Sequence, residues 1–192
     1  PVVCAMNGLA FGGGNEIAMA CTVRITKKGQ KVFAGQPEPR LGIIPGNGGT
    51  QRLPRLVGME KAWPILRNAN PISSAQAKEI GLIHEEVEGD LIEAAIDWVK
   101  KILSGKVLIS PIQKGPIPIP SKLPEVDIGH LSRKIDSLLQ RVVLEGAKMT
   151  LEEGLKMEAK VFGECLLTQD MRIGMENFIK NGPRVNANFV HN

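Results

Sequence analysis

Residues 11–16 read Phe-Gly-Gly-Gly-Asn-Glu, three consecutive glycines with an acid two residues after the last of them. Glycine runs cost backbone entropy and offer no side chain to pack. Their place just before the apolar stretch Glu16 to Cys21 therefore calls for a reason. The first N–H groups of a helix have no partner within it and carry the positive end of its dipole. Bare backbone there lets a ligand approach these donors, either a phosphate or a carbonyl whose oxygen becomes negative in a transition state. Glu16 follows Gly13 by three residues, which puts both on one side of the first turn. A carboxylate so placed can handle a proton on carbons beside a carbonyl held by Gly13 N–H. A second acid, Glu38, stands between Pro37 and Pro39 on a segment stiffened from both sides. Two carboxylates can hold one water between them, one taking its proton and the other managing a second transfer. A structural turn and two solvated glutamates account for the same residues, so both readings stay open at this point.

Phosphate chemistry is the easier part to test. Gly12 and Gly14 are followed by Ile17 where a dinucleotide fingerprint requires glycine, and no acid closes a second strand. The Gly-Lys-Ser/Thr of a phosphate loop is absent as well.

The elements around these residues alternate. Strands are expected over 2–6, 22–26, 31–34 and 82–87, with a buried helix starting in the glycine run and ending at Cys21. The loop Pro45-Gly46-Asn47-Gly48-Gly49-Thr50 precedes a short helix to Val57, and Pro64 is expected to limit or bend the next one, 60–68. Ser73 with Gln76 has capping-box spacing, and Asp90 caps a helix reaching about Leu103. Residues 1–103 thus read as an α/β layered core with parallel strands. Residues 104–127 hold five prolines and two glycines and read as an extended connector. In 128–192 an apolar stripe at Ile128, Leu131, Ile135, Leu138, Leu139, Val142 and Val143 begins a helical region. Its further helices are capped by Thr150 and start at Thr168. This region must bury its stripes against the core or against a neighbouring subunit.

Composition narrows the function classes. No apolar run is long enough to span a membrane. Cys4, Cys21 and Cys165 are odd in number and far apart, which suits reduced thiols in a cytoplasmic protein. Three unpaired histidines, His84, His130 and His191, offer no metal-ligand spacing and read as structural. The net charge of +4 fits a polyanionic small molecule, while seven aromatics and no tyrosine supply nucleic acid poorly with stacking surfaces. Arg52 and Arg55 read as surface or subunit ion pairs, and Trp63 and Trp98 as packing residues. The opening PVVCAM has no initiator methionine, and an upstream start is expected.

Three blocks carry a resemblance: NGLAFGGGNEIAMAC, FAGQPEPRLGIIPGNGGTQRLPRLVG and PISSAQAKEIGLIHEEV. They resemble the crotonase (enoyl-CoA hydratase/isomerase) superfamily from Pro1 to about Leu103. The resemblance implies a ClpP/crotonase fold, here N-terminally incomplete, with a C-terminal helical layer. It implies that Gly13 supplies an oxyanion-hole N–H, that Glu16 and Glu38 are the two catalytic glutamates, and that Gly12, Gly14, Pro45 and Gly46 contact substrate. The implied reaction is hydration of trans-2-enoyl-CoA, with coenzyme A as part of the substrate and no metal or redox cofactor. An isomerase or hydrolase of the same superfamily, or an inactive docking module, is the alternative. A homo-oligomer (trimer or hexamer) is implied, with no nucleic acid or membrane partner. The tail segments LPEVDIGHLSRKID and DMRIGMENFIKNGP are similar to the C-terminal end of multidomain 3-hydroxyacyl-CoA dehydrogenases. That implies fused dehydrogenase domains upstream, and NAD as a cofactor only if those are present.

Overall fold

The computed structural model describes residues 1–192. Strands β1 (Val3–Met6), β3 (Val23–Lys27) and β5 (Glu85–Val87) form a parallel sheet in the order β1-β3-β5. A second parallel pair joins β2 (Ala10–Phe11) to β4 (Ala34–Gly35), with Phe11 opposite Gly35. The pair is short, yet it sets the site. β2 runs directly into helix α1 (Gly13–Ala20), and β4 leads into a 3-10 turn over Glu38–Leu41. The register therefore brings the glycine run alongside the Glu38 segment, sealed by Gly12 N–H donating to the Gly35 carbonyl at 3.0 Å.

Two expected strands are shorter than their β-branched content suggests. Phe33 and Ala34 N–H both donate to the Ile72 carbonyl, so only Ala34–Gly35 remains for the β2 pairing. Leu82 and Ile83 N–H both turn back to Ala77, at the end of α4 (Ser74–Glu79), and the β5 ladder begins at Glu85. Helix α3 (Met59–Asn68) passes through Pro64 without ending, because Ala62, Trp63, Ile65 and Leu66 on either side are held in the core. The Ser73–Gln76 capping box forms at the start of α4. Asp90 caps α5 (Leu91–Leu103) by accepting from Ile92 and Glu93 N–H.

Residues 104–132 contain no helix or strand. The segment nevertheless lies on the protein, with Ile117, Ile119, Leu123 and Val126 packed against the main apolar cluster. Helices α6 (Arg133–Ala147), α7 (Leu151–Leu166) and α8 (Gln169–Asn181) follow. The apolar stripe of α6 finds its partner within the chain. Ile135, Leu139, Val142 and Val143 belong to the same cluster as Phe33, Leu53 and Leu66. Helix α2 (Gly49–Val57) forms the junction, and its fully buried Gln51 fits between α6 and α7 where Gly146 and Gly154 leave room.

One polar contact ties these layers together. Arg67 on α3 donates from Nε and Nη2 to the two carboxylate oxygens of Asp136 on α6, both at 2.7 Å. Its guanidinium also lies 4.9 Å from the centroid of the Trp63 ring. Both side chains are little exposed, at 13% and 9%. Removing one partner of a buried pair strands the other's charge. Arg67→Ala is expected to lower the unfolding free energy by about 3 kcal/mol in urea titration. A loss below about 1 kcal/mol would place the pair with ordinary surface bridges.

Candidate active site

Gly12 precedes α1 with φ of +53°, a conformation that L side chains rarely adopt. A Cβ there would also lie 3.2 Å from the Glu38 carboxyl carbon. Gly13 begins α1, where its N–H has no acceptor within the helix, and the Asn47 side-chain amide stands 3.7 Å from its Cβ position. Gly14 faces open space. Of the three, Gly12 is required by its own backbone, and by the acid that touches it.

Glu16 is buried at 2% exposure, on the first turn of α1. One oxygen, Oε1, accepts from Asn47 N–H at 2.9 Å and from Gly49 N–H at 2.7 Å. Burial raises its pKa above the ordinary value, while those two donors and the charge of Arg52 pull the other way and favour the carboxylate. Glu38 lies on the 3-10 turn and receives no comparable help. Its Oε2 is buried without a hydrogen-bond partner. Burial first, then the nearby charges of Glu16 and Glu158, push its pKa up to about 8, with its own backbone N–H in partial opposition. Both acids thus hold a proton more tightly than a free glutamate does, and backbone N–H donors from the loop oppose this at Glu16, while Glu38 Oε2 has no partner.

Glu158, on α7, is a third buried acid, at 2% exposure. It accepts from Gly48 N–H (2.6 Å), Thr50 N–H (3.0 Å) and the Thr50 hydroxyl (2.5 Å). Burial and the charge of Glu16 raise its pKa to about 7 against the pull of these donors. The start of α2 thus lies between two carboxylates.

Gly46 and Pro45, expected at the substrate, lie in a tightly packed loop. A Cβ on Gly46 would lie 2.6 Å from the Phe162 ring of α7, and one on Gly49 would lie 2.9 Å from Pro45 Cβ. Within the chain Arg55 forms no ion pair. It donates to the carbonyls of Gly146 (3.0 Å) and Met149 (2.9 Å), so a cation sits at the C-terminal end of α6. Arg52 donates to the Asn47 carbonyl at 2.6 Å. His84 accepts from Arg24 N–H and packs edge-on to Trp98, a structural role.

A cavity of about 900 Å³ opens next to the two glutamate segments, lined in part by Phe11, Gln36, Pro37, Leu41 and Phe178. Glu16 and Glu38 are not in its wall, but Phe11 and Pro37 directly precede the glycine run and Glu38. Gln36 is fully buried, and neither its amide oxygen nor its nitrogen has a partner. No group of three or more His, Cys, Asp or Glu side chains is placed to hold a metal ion, and no helix is long and apolar enough to cross a membrane.

The family model for enoyl-CoA hydratase/isomerase matches residues 1–114, which include the glycine run, Glu16, Glu38 and the loop at the start of α2 but not Glu158. The chain belongs to the enoyl-CoA hydratase/isomerase family. It is 37% identical to a crotonyl-CoA hydratase of Syntrophomonas wolfei, over 99% of this chain and 62% of that protein. It is 34% identical to a short-chain-enoyl-CoA hydratase of Clostridioides difficile, over 92% of this chain and 96% of that one. Among solved structures, an enoyl-CoA hydratase from Bacillus anthracis matches at 32% identity with a TM-score of 0.51, covering 98% of this chain and 62% of the other. A carnitinyl-CoA hydratase from Mycobacterium avium shares the fold, with a TM-score of 0.64 at 24% identity, over 94% of this chain and 60% of that one. The α/β crotonase-like fold holds for the chain, helical layer included. The chain spans about 60% of the length of the first curated relatives it matches.

Of the family residues named from the sequence, Gly12, Gly13, Glu16 and Glu38 come together, with Gly14 on the same turn. Glu158 was not anticipated. A signal for it exists. On α7 the buried positions are Gly154, Glu158, Val161 and Cys165, an acid at helical spacing on an otherwise apolar or small stripe.

Proposed function

We propose that this chain is an enoyl-CoA hydratase, adding water across the 2,3 double bond of a trans-2-enoyl-CoA. The observation that carries it is the placement of two buried acids beside a free helix-start N–H, Glu16 held by two backbone donors and Glu38 against Gly12 with one oxygen unpartnered. Gly13 N–H polarises the thioester oxygen, as oxyanion donors do. Glu16, oriented by two N–H groups, acts as the base and takes a proton from water as the water oxygen bonds to C3. Glu38 gives its proton to C2, and exchange with solvent resets both acids. The apolar lining of the neighbouring cavity suits the acyl chain.

Two buried acids favour hydration over isomerisation, in which one group can carry a proton between carbons. A docking module needs no such site. None of the relatives cited above is named a dehydrogenase, and fusion to dehydrogenase domains with NAD rests on the resemblance of the tail alone. A homo-oligomer would cover the exposed Phe178 and Ile179 of α8. Three free cysteines support a cytoplasmic setting.

Crotonyl-CoA in ¹⁸O-labelled water provides the test. The expected result is loss of enoyl absorbance with one labelled oxygen in the product. Release of free CoA thiol would replace this reading with a hydrolase. Unchanged substrate in the presence of folded protein would overturn it.

A further inference from the structure

Four successive N–H groups at the start of α2 alternate between two carboxylates. Asn47 and Gly49 donate to Glu16, while Gly48 and Thr50 donate to Glu158. Alternation follows from the turn itself, since neighbouring N–H vectors diverge where the loop becomes helix and only separate acceptors can satisfy them. Each acid therefore holds the loop in the conformation that the other needs. Glu158 takes three hydrogen bonds and comes from α7, far along the chain, where it is buried. A buried acid among apolar stripe residues is retained only with such partners. Gly48 adds a constraint: its φ of +98° leaves the loop without the usual backbone preferences to hold its shape.

We propose that Glu158 is a positioning residue for Glu16, clamping the Gly48–Thr50 backbone so that the intervening N–H groups aim the Glu16 carboxylate at its reactant. The inference rests on the hydratase reading only for the meaning of that reactant. The clamp itself is a matter of geometry. Gly48 N–H meets Oε1 and Thr50 N–H meets Oε2, so glutamine at 158 in the same position keeps one contact and turns an NH₂ donor toward the other N–H.

The test has two arms. In the hydration assay, Glu158→Gln is expected to lower kcat by about 30- to 100-fold with KM within threefold, in keeping with misplaced catalytic groups. In a Glu16→Gln background the same change is expected to cost less than threefold, because its effect runs through Glu16. Equal losses in both backgrounds, or a drop in Tm with kcat unchanged, would overturn the proposal. The second arm needs no activity. Amide proton shifts of Asn47 and Gly49, held downfield by Glu16, are expected to move upfield in Glu158→Gln, and unchanged shifts would overturn the clamp even in a protein that hydrates nothing. Should Glu158→Gln fail to fold, Thr50→Val removes the hydroxyl donor to Glu158, together with the acceptor of Gln51 Nε2, and leaves both backbone N–H donors in place. It is then expected to lower kcat about three- to tenfold and to move the same amide signals, and an unaltered kcat and spectrum would count against the proposal.

Discussion

Glu38→Gln is expected to lower kcat for enoyl-CoA hydration by about 10²- to 10⁴-fold, the usual contribution of a general acid, while leaving substrate affinity nearly unchanged. The side chain keeps its shape and loses only its transferable proton. Stability should move the other way. Glu38 binds its proton far more tightly in the folded protein, at a pKa of about 8, than at the ordinary value of 4.5. Its contribution to stability is therefore fully present below pH 4.5 and is lost as pH rises through about 8. Glutamine does not titrate. Urea denaturation of parent and variant should give curves that diverge in favour of the variant across that window, by roughly 3–5 kcal/mol at its upper end. Curves that stay parallel would mean that Glu38 is ionised at neutral pH, and the assignment of acid and base would have to be exchanged.

Gly12→Ala is the second large effect. Two costs coincide at one atom. The backbone at φ +53° and ψ −125° lies outside the regions open to alanine, a strain of about 1–3 kcal/mol. The new methyl would also occupy space held by the Glu38 carboxyl group, 3.2 Å from its carbon and closer still to Oε1. Either the acid or the start of α1 must shift, and a displacement near 1 Å costs about 100-fold in rate. The expected result is a folded protein by circular dichroism, with Tm several degrees lower and kcat at least 100-fold down. Activity within threefold of the parent would show that the glycine run serves the turn and not the site.

The pairing of Glu16 with Glu38 came from the family resemblance, whereas local chemistry was enough to place the helix start in the glycine run and the caps at Ser73, Asp90 and Thr150. Each depends on neighbours within a few residues. Tertiary competition explains the failures. The Lys31–Ala34 strand shrank because Ile72 claimed its donors, and Arg55 proved to be a clamp on carbonyls that lie over 90 positions away in the chain. The packing of Gly46 lay equally out of reach, since the Phe162 ring against it cannot be read from a glycine-rich loop. Glu158 is the most instructive case. On α7 it looks like one more helical glutamate, and only the burial of Gly154, Val161 and Cys165 around it separates it from its exposed neighbours.

The same distance along the chain gives the site an order of assembly. Gly13, Glu16 and Glu38 are synthesised before α7 and α8, and the β2–β4 pairing brings their segments together. The donors at Gly48 and Thr50 wait for an acceptor on α7, and the 3-10 turn bearing Glu38 waits for α8, whose Gly174 would have a Cβ 2.9 Å from the Gly42 nitrogen. At roughly 5–20 residues per second of translation, several seconds separate the reactive acids from the helices that aim them. A nascent chain thus carries its chemistry before it can use it, and the reaction centre matures from the tail inward.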